Sequence, residues 1–599
     1  MAYKSLAKAI EELEERGDLL RVHEEVDPDL EMAAMHRQSF QSNGPALLFE
    51  KVKGSKFKAV TNLFGNLERS KYILREKWEA VEGMVALKSD PSLALRNPWK
   101  YRKSILGALN MRPKKVGIHT CGFEEVQITD LPQMKSWPMD GGPFITLPQV
   151  YSEDPDNPGV KLSNLGMYRV QMTGNSYETN QEIGLHYQIH RGIGVHQTKA
   201  RKRGEDLKVS IFIGGHPAHT LAAVMPLPEG LSELMFAGAL AGRRFRYAYD
   251  AEGYCLSADA DFVITGSISH DELKPEGPFG DHLGYYSLVH DFPVMKVNKV
   301  YAKPNAIWPF TVVGRPPAED SQFGALIHSL TGEAIPDNLP GVSSVHAVDL
   351  AGVHPLLFAV GSERYTPYTQ EIQPAEVLTQ ANMILGFGQL SLAKYLFIAD
   401  GVYSNPDIHD EEAFLTHILE RFRPDRDLHF QTQTTIDTLD YSGESLNRGS
   451  KLVVAVAGDP IRKLGKRRPS EIPGFKNIGS PMPGVLCLEL DGEGKVEDRL
   501  NMLDAKKYEA YPFWVLVDDS MFTAQNMANF LWVTFTRSNP SHDVYGWKSS
   551  FEHKHWSTQG MVLIDARKKP HHAPEMKEDP AVEKSAKAKL KKAGFKKRA

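Results

Sequence analysis

Between residues 143 and 313, short apolar runs are cut repeatedly by glycine and proline, and this pattern narrows the fold more than any other feature of the chain. Lys208-Val-Ser-Ile-Phe-Ile213, Asp261-Phe-Val-Ile-Thr265 and Val294-Met-Lys-Val-Asn-Lys-Val-Tyr301 are examples, the last alternating apolar and polar residues. Runs this short, rich in β-branched and aromatic residues, predict strands. Many short strands with glycine and proline between them point to a barrel-like β domain. A helix is expected to interrupt it near residues 231–242, with Ser232 as a cap.

The flanks read differently. Leu6, Ile10 and Leu13 share one face of an amphipathic helix over residues 5–17, which Gly17 is placed to end. Mixed strands and helices follow to about residue 115, the best strands being 45–49 and 58–64. After Gly314-Arg-Pro-Pro317 the pattern becomes α/β. It predicts one long helix at 374–394, a strand at 395–399 ending in Asp400, a helix at 410–422 stopped by Pro424, and a strand at 452–456. The same plan recurs in the strand 513–517 with Asp518 and Asp519, a helix at 525–536, Arg537-Ser-Asn-Pro540 and a strand at 561–565. This is either a βαβ unit used twice or the general likeness of any two such units.

At 599 residues the chain is too long for a single core. Its net charge of −5 gives no global electrostatic case for nucleic acid. Three distant cysteines, Cys121, Cys255 and Cys487, exclude a zinc ribbon or disulfide framework and fit a reducing, cytoplasmic setting. No signal peptide or uncharged apolar run of ~18 residues is present. Residues 583–599 carry eight Lys/Arg and read as a solvated or frayed end, with peripheral contact to anionic lipid as the alternative.

Several groups could do chemistry. Residues 274–286 set Glu276, Asp281 and His282 among prolines and glycines, the texture of a rigid, irregular loop. In Asn164-Leu-Gly-Met-Tyr-Arg169, the two end residues face opposite sides of a regular strand. A shared site therefore needs a bulge or turn, for which Gly166 is the place; the alternative is an edge strand with an exposed arginine. His186 and His190 have zincin spacing, but Tyr187 stands where the glutamate belongs and nearby glycines disfavour a helix. His216 and His219 read as structural. Glu233 at a helix start needs no function. Joined by Asn164 and a histidine, it would make a thiolate-free ligand set suited to Mn2+ or Mg2+ holding a phosphate. No nucleotide-binding glycine fingerprint occurs.

Asn43-Gly-Pro-Ala-Leu-Leu-Phe49, Trp137-Pro-Met-Asp140, Asn164-Leu-Gly-Met-Tyr-Arg169, His190-Arg-Gly192, Leu231-Ser-Glu233, Pro275-Glu-Gly-Pro-Phe-Gly-Asp-His282 and Gly314-Arg-Pro-Pro317 occur in that order. This ordered set resembles the UbiD family of prenylated-FMN-dependent decarboxylases. The resemblance implies a mixed α+β fold: an N-terminal α/β domain (1–120), a split β-barrel flavin-binding domain (121–320), a linker with a long helix (321–395), an α/β oligomerisation domain (396–575) and a basic tail (576–599). It implies prenylated FMN with Mn2+ or Mg2+ and admits K+ beside them. Asn164, His190 and Glu233 match the metal-holding positions. Met167, Tyr168, Arg169, Arg191 and Gly192 match cofactor contacts. His186, Tyr187 and Gln188 join them once a short insertion at residues 175–183 is allowed, and Lys394 matches a lysine that reaches the cofactor phosphate. Asp281 would be the proton donor, with Arg169 and Glu276 setting its protonation. The expected substrate is a small aromatic or unsaturated acid, with quinone biosynthesis as its setting. A flavin prenyltransferase would supply the cofactor, and like chains would assemble as a dimer or hexamer. A flavin-binding oxidoreductase on the same barrel and a cofactor-free assembly protein are the rival readings.

Overall fold

The computed structural model describes residues 4–75, 77–89, 91–187, 192–225, 232–331, 339–364, 372–402 and 405–596. It divides into one unit of residues 1–331 with 575–599 and a second of residues 332–574.

The first unit opens with the expected amphipathic helix, Leu6–Arg16, which buries Leu6, Ala9, Ile10 and Leu13. The Ser5 hydroxyl caps it, and Gly17 ends it at φ 78°, a conformation that glycine adopts without a Cβ clash. A four-stranded sheet joins Leu19–Val26, Ala46–Val52 and Lys58–Thr61 to the distant strand Ile307–Phe310.

The larger sheet holds nine strands: β1 (Glu124–Val126), β2 (Phe144–Ile145), β3 (Gln149–Ser152), β4 (Asn164–Gly166), β5 (Val170–Gln171), β6 (Glu182–Leu185), β7 (Leu207–Ile213), β8 (Phe262–Glu276) and β9 (His290–Ala302). Their order is β2-β5-β6-β9-β8-β7-β3-β4, with β1 added on β9. Two connections show that the sheet is curled. In a flat sheet the six intervals between β4 and β5 would separate them by roughly 29 Å. The link of residues 167–169 reaches about 14 Å at most. Residues 146–148 join β2 to β3 across the same number of intervals. Both links close only if the sheet bends until its ends meet, which makes a split barrel.

Both faces of this sheet are buried, and residues alternate between them. Along β7, Val209, Ile211 and Ile213 enter one core, while Phe212 enters another with Leu221 and Leu234 of the covering helices Pro217–Val224 and Glu233–Ala241. The strand considered for residues 164–169 ends at Gly166 as β4, and β5 follows at Val170, with the barrel seam between them. The first three residues of the stretch 274–286, read as a loop, complete the 15-residue strand β8 instead. The basic tail is also not frayed: Pro580–Lys592 is a helix that buries Ala586 and Leu590 in the first unit's core.

In the second unit the suspected repeat is a full topological duplication. One sheet contains β10 (Ser344–Ala347), β11 (Leu356–Gly361), β12 (Tyr395–Asp400), β13 (Leu428–Thr434) and β14 (Gly449–Val456), ordered β10-β11-β12-β14-β13. The other contains β15 (Phe475–Gly479), β16 (Val485–Leu490), β17 (Phe513–Leu516), β18 (Val544–Gly546) and β19 (Val562–Asp565), ordered β15-β16-β17-β19-β18. In each, three central strands run parallel and the two outer strands antiparallel. Phe397 of β12 packs edge-on against Phe535, ring centres 5.8 Å apart, so the copies share a core. The helix expected at 374–394 runs only over Ala375–Leu385 and yields to a 3-10 turn at Gly388–Leu392, where the glycines lower helix propensity. Among the described residues no helix is long and apolar enough to cross a membrane.

Candidate active site

The seam places Arg169 inside the barrel mouth, opposite the loop that leaves the end of β8. Its guanidinium makes a two-pronged pair with Glu276, Nε to Oε1 at 2.9 Å and Nη2 to Oε2 at 2.8 Å. Nη1 donates to Asp281 Oδ2, and Nη2 also donates to Ser287 Oγ at 2.7 Å. The Phe279 ring lies 4.7 Å from the guanidinium carbon. The side chains of Arg169, Glu276 and Asp281 are 8%, 0% and 10% exposed, so the network operates away from bulk water. Arg169 and the two acids, 107 and 112 residues away in sequence, thus converge as expected. Ser287 and Phe279 complete the arrangement; Phe279 lies within the Pro275–His282 motif, whereas Ser287 had no sequence signal of its own.

The loop is held from behind by the Trp137-Pro-Met-Asp140 motif. Asp140 Oδ2 accepts the Ser136 and Trp137 backbone N–H groups at 3.1 and 2.9 Å, and Oδ1 accepts that of Gly280 at 2.8 Å. Burial raises its carboxyl to about 6, against those three backbone donors. The Tyr286 hydroxyl accepts the Met139 N–H at 3.2 Å.

Electrostatics divide the acids. Burial alone would raise Asp281, but hydrogen bonding to His282 and the charges of Arg169 and His282 hold it down to about 2. The His282 ring nitrogen Nδ1 lies 2.9 Å from Asp281 Oδ1. Glu276 is likewise raised by burial and brought below its ordinary value by Arg169. His186, edge-on to Phe292 at 4.2 Å, is lowered to about 4 by burial and then by Arg169, so it is neutral at pH 7. Asp320, absent from the sequence expectations, is raised to about 6 by burial, within electrostatic reach of His282 and Asp281.

The expected metal positions lie on β4 and the helix Glu233–Ala241. Glu233 Oε2 accepts the Leu165 backbone N–H at 3.1 Å, which brings its carboxylate beside Asn164. Burial raises Glu233, and backbone N–H groups only partly oppose this. Asn164 Nδ2 is buried without a partner among the described residues, and Oδ1 accepts the Tyr168 hydroxyl at 3.5 Å. Gly192 starts the helix Gly192–Arg203, and a Cβ there would come within 2.2 Å of Asn164 Oδ1. The close approach of these two residues requires the glycine. Met167 N–H donates to Ala223 O at 2.9 Å. Tyr168 and Tyr187 pack with ring centres 6.0 Å apart, and the Tyr187 hydroxyl donates to Gln197. Gln188, His190 and Arg191 lie outside the described residues. Lys394 belongs to the second unit, where it is buried with its ammonium on Asp440 at 2.7 Å and Ser442 at 2.7 Å. Of the histidines read as structural, His216 caps the helix Pro217–Val224.

Three family models match the chain: the N-terminal domain of 3-octaprenyl-4-hydroxybenzoate carboxy-lyase at residues 10–88, its Rift-related domain at 113–316 and its C-terminal domain at 321–456. A 4-hydroxybenzoate decarboxylase component from Chlamydia pneumoniae is 37% identical over 570 residues, 94% of each chain. Among solved structures, the vanillic acid decarboxylase of Sedimentibacter hydroxybenzoicus in its closed form is similar with a TM-score of 0.65 and 22% identity, over 79% of this chain and 96% of that one. HmfF of Pelotomaculum thermopropionicum in complex with FMN, a UbiD-class enzyme, is similar with a TM-score of 0.60 and 23% identity, over 78% of this chain and 98% of that one.

Proposed function

Because the chain belongs to the UbiD family of carboxy-lyases, we propose that it removes CO2, without net oxidation, from an aromatic or α,β-unsaturated acid, a hydroxyaryl acid of quinone biosynthesis being the leading substrate. The observation that carries this reading is the buried network of Arg169 with Glu276 and Asp281. A hydride-transferring flavoprotein has no need of two carboxylates fixed on one buried arginine; a reaction that replaces CO2 by a proton does. The name of the chlamydial relative supports a hydroxybenzoate-like acid.

Prenylated FMN, when bound, supplies the electron sink that decarboxylation needs and no side chain provides. The residues present fit it. An unpartnered buried amide on Asn164, the Gly192 backbone drawn against it, and a buried Glu233 held only by backbone N–H groups among the described residues make a polar cradle short of a cation. Asn164 and Glu233, with His190, would hold Mn2+ or Mg2+ and through it the cofactor phosphate. Met167, Tyr168 and Gly192 would line the flavin. Arg169 orients the incoming carboxylate, and Asp281 returns the proton to the carbon that loses CO2. Glu276 keeps Arg169 in place during the exchange of partners.

Full-length protein co-expressed with a flavin prenyltransferase is expected to release CO2 anaerobically from 4-hydroxybenzoate or a related aryl acid, with no reductant consumed. Consumption of a hydride donor, or a colourless protein inactive on every acid, would replace this reading by the oxidoreductase or the assembly protein. Glu233→Ala and Asn164→Ala should each lower bound metal at least about tenfold, with loss of the flavin absorbance. A Glu233→Ala protein purified with full metal content would remove that residue from the ligand set.

A further inference from the structure

The last residues of the chain return to the first unit and cross the outer side of the catalytic loop. Glu575 forms an antiparallel bridge with Tyr285, and Met576 N–H donates to Gly284 O at 3.4 Å. The loop beneath is a tight turn, in which Asp281 N–H donates to Tyr285 O and Gly284 N–H to Asp281 O, both at 3.0 Å. The Met576 side chain fills the space over Gly280. A Cβ on that glycine would come within 2.5 Å of Met576 Sδ and 2.2 Å of Trp137 Cδ1, so the three residues are packed without slack. Asp140 holds Gly280 from the opposite side.

Beyond this crossing the chain is fastened. Asp579 caps the helix Pro580–Lys592 by accepting Ala581 and Val582 N–H. Glu583 accepts Arg37 Nη2 at 2.5 Å and Gln38 Nε2 at 2.8 Å. Glu31 receives Ser585 Oγ at 2.7 Å and Lys589 Nζ at 2.8 Å. Ala586 and Leu590 are buried with Val26 and Met32. Arg37 also lies 4.4 Å over the Trp137 ring, so the anchor and the loop support share a residue. Residues 575–592 themselves lie beyond residue 456, where the family match ends.

We propose that residues 575–592 are a strap that positions the catalytic loop. Met576 is the positioning residue: with Trp137 it fills the space over Gly280, whose backbone N–H Asp140 holds, and the turn that follows then presents Asp281 to Arg169. The helix Pro580–Lys592 anchors the strap. The polar and apolar contacts act together. The backbone contacts at Glu575 and Met576 fix the turn's outer edge, and the methionine side chain removes the void into which the loop would otherwise relax. The proposal rests on Asp281 belonging to the site, but its first test does not depend on activity.

Hydrogen exchange of the full-length protein provides that test. Met576→Gly should raise amide exchange across residues 280–286 about tenfold, while the barrel strands at 207–213 and 262–273 keep their protection. Met576→Leu, which refills the space, should return the loop close to wild type. Glu583→Lys, which removes the anchor, should have the same effect on the loop as Met576→Gly. Loop exchange unchanged in Met576→Gly would overturn the proposal, even if Glu583→Lys failed to fold. With holoenzyme and an acid it decarboxylates, Met576→Gly should lower kcat about tenfold with KM nearly constant, since positioning is lost rather than substrate binding. Equal loss in Met576→Leu and Met576→Gly would count against a positioning role. A wild-type protein that releases no CO2 yet shows the exchange pattern would sink the decarboxylase reading and leave the strap standing.

Discussion

Replacing Asp281 by asparagine is expected to lower kcat by about 10²–10⁴-fold, the usual contribution of a positioned proton-transfer group, while flavin and metal remain bound. The side chain keeps its size, and Asn164 and Glu233, which would hold the metal, are untouched. A second readout follows from the charge state. In the free enzyme His282 and Arg169 outweigh burial and keep Asp281 ionised at pH 7. On the proposed mechanism it becomes an acid when the substrate carboxylate brings a further negative charge. Binding of a benzoate-like inhibitor should therefore be accompanied by proton uptake that grows as pH falls from 7 to 5 in the wild type and is absent in Asp281→Asn. Calorimetry in two buffers of different ionisation heat measures this directly. A variant that keeps more than a tenth of its turnover would exclude Asp281 as the donor.

Arg169→Met should be the most destabilising change at the site, by roughly 3–5 kcal/mol, because it leaves the buried Glu276 carboxylate without its counterion and Asp281 with His282 alone. Its pH dependence should invert. In the wild type both acids titrate below their unfolded values, Asp281 at about 2. Their stabilising contribution is therefore present above the unfolded carboxyl range and is lost as pH falls through the folded values. Without Arg169, burial raises Glu276, which loses both of its guanidinium hydrogen bonds, whereas Asp281 keeps its bond to His282. The native state then binds more protons than the unfolded one, and stability falls as pH rises through neutrality. Denaturant midpoints of the variant at pH 5 and pH 8 measure the sign; a higher midpoint at pH 8 would contradict the arrangement. Flavin binding should weaken as well, since Arg169 sits on the seam between Tyr168 and β5.

Local patterns made much of the fold legible. The 3.6-residue spacing of Leu6, Ile10 and Leu13 and the ending at Gly17 yield the helix Leu6–Arg16 as read. The strand at 207–213 and the second βαβ copy also follow from periodicity and punctuation. Failures occur where tertiary contacts override a local preference. The helix Gly192–Arg203 was hidden by Gly192 and Gly194, whose poor propensity is offset by burial of Ile193, His196 and Ala200. The docked C-terminal helix was hidden by its lysines, although Ala586 and Leu590, four residues apart, were the signal that could have found it. The site itself has no local period: Arg169 meets its acids across separations of 107 and 112 residues. Resemblance to a family brought them together on paper, and the curl of the sheet does so in space. Ser287 and Asp320 belong to no pattern that a single sequence displays.

The two short ties across the barrel mouth carry a further meaning for how such a chain can vary. Because residues 167–169 both stitch the cylinder shut and supply its arginine, their length is not free to drift as the length of a surface connection is. One residue more would slacken the hoop and swing the guanidinium away from its acids; one fewer would leave the hoop unable to meet. Insertions should then be tolerated where the chain is slack, as between β3 and β4 or between β5 and β6, and not within either of the two three-residue ties.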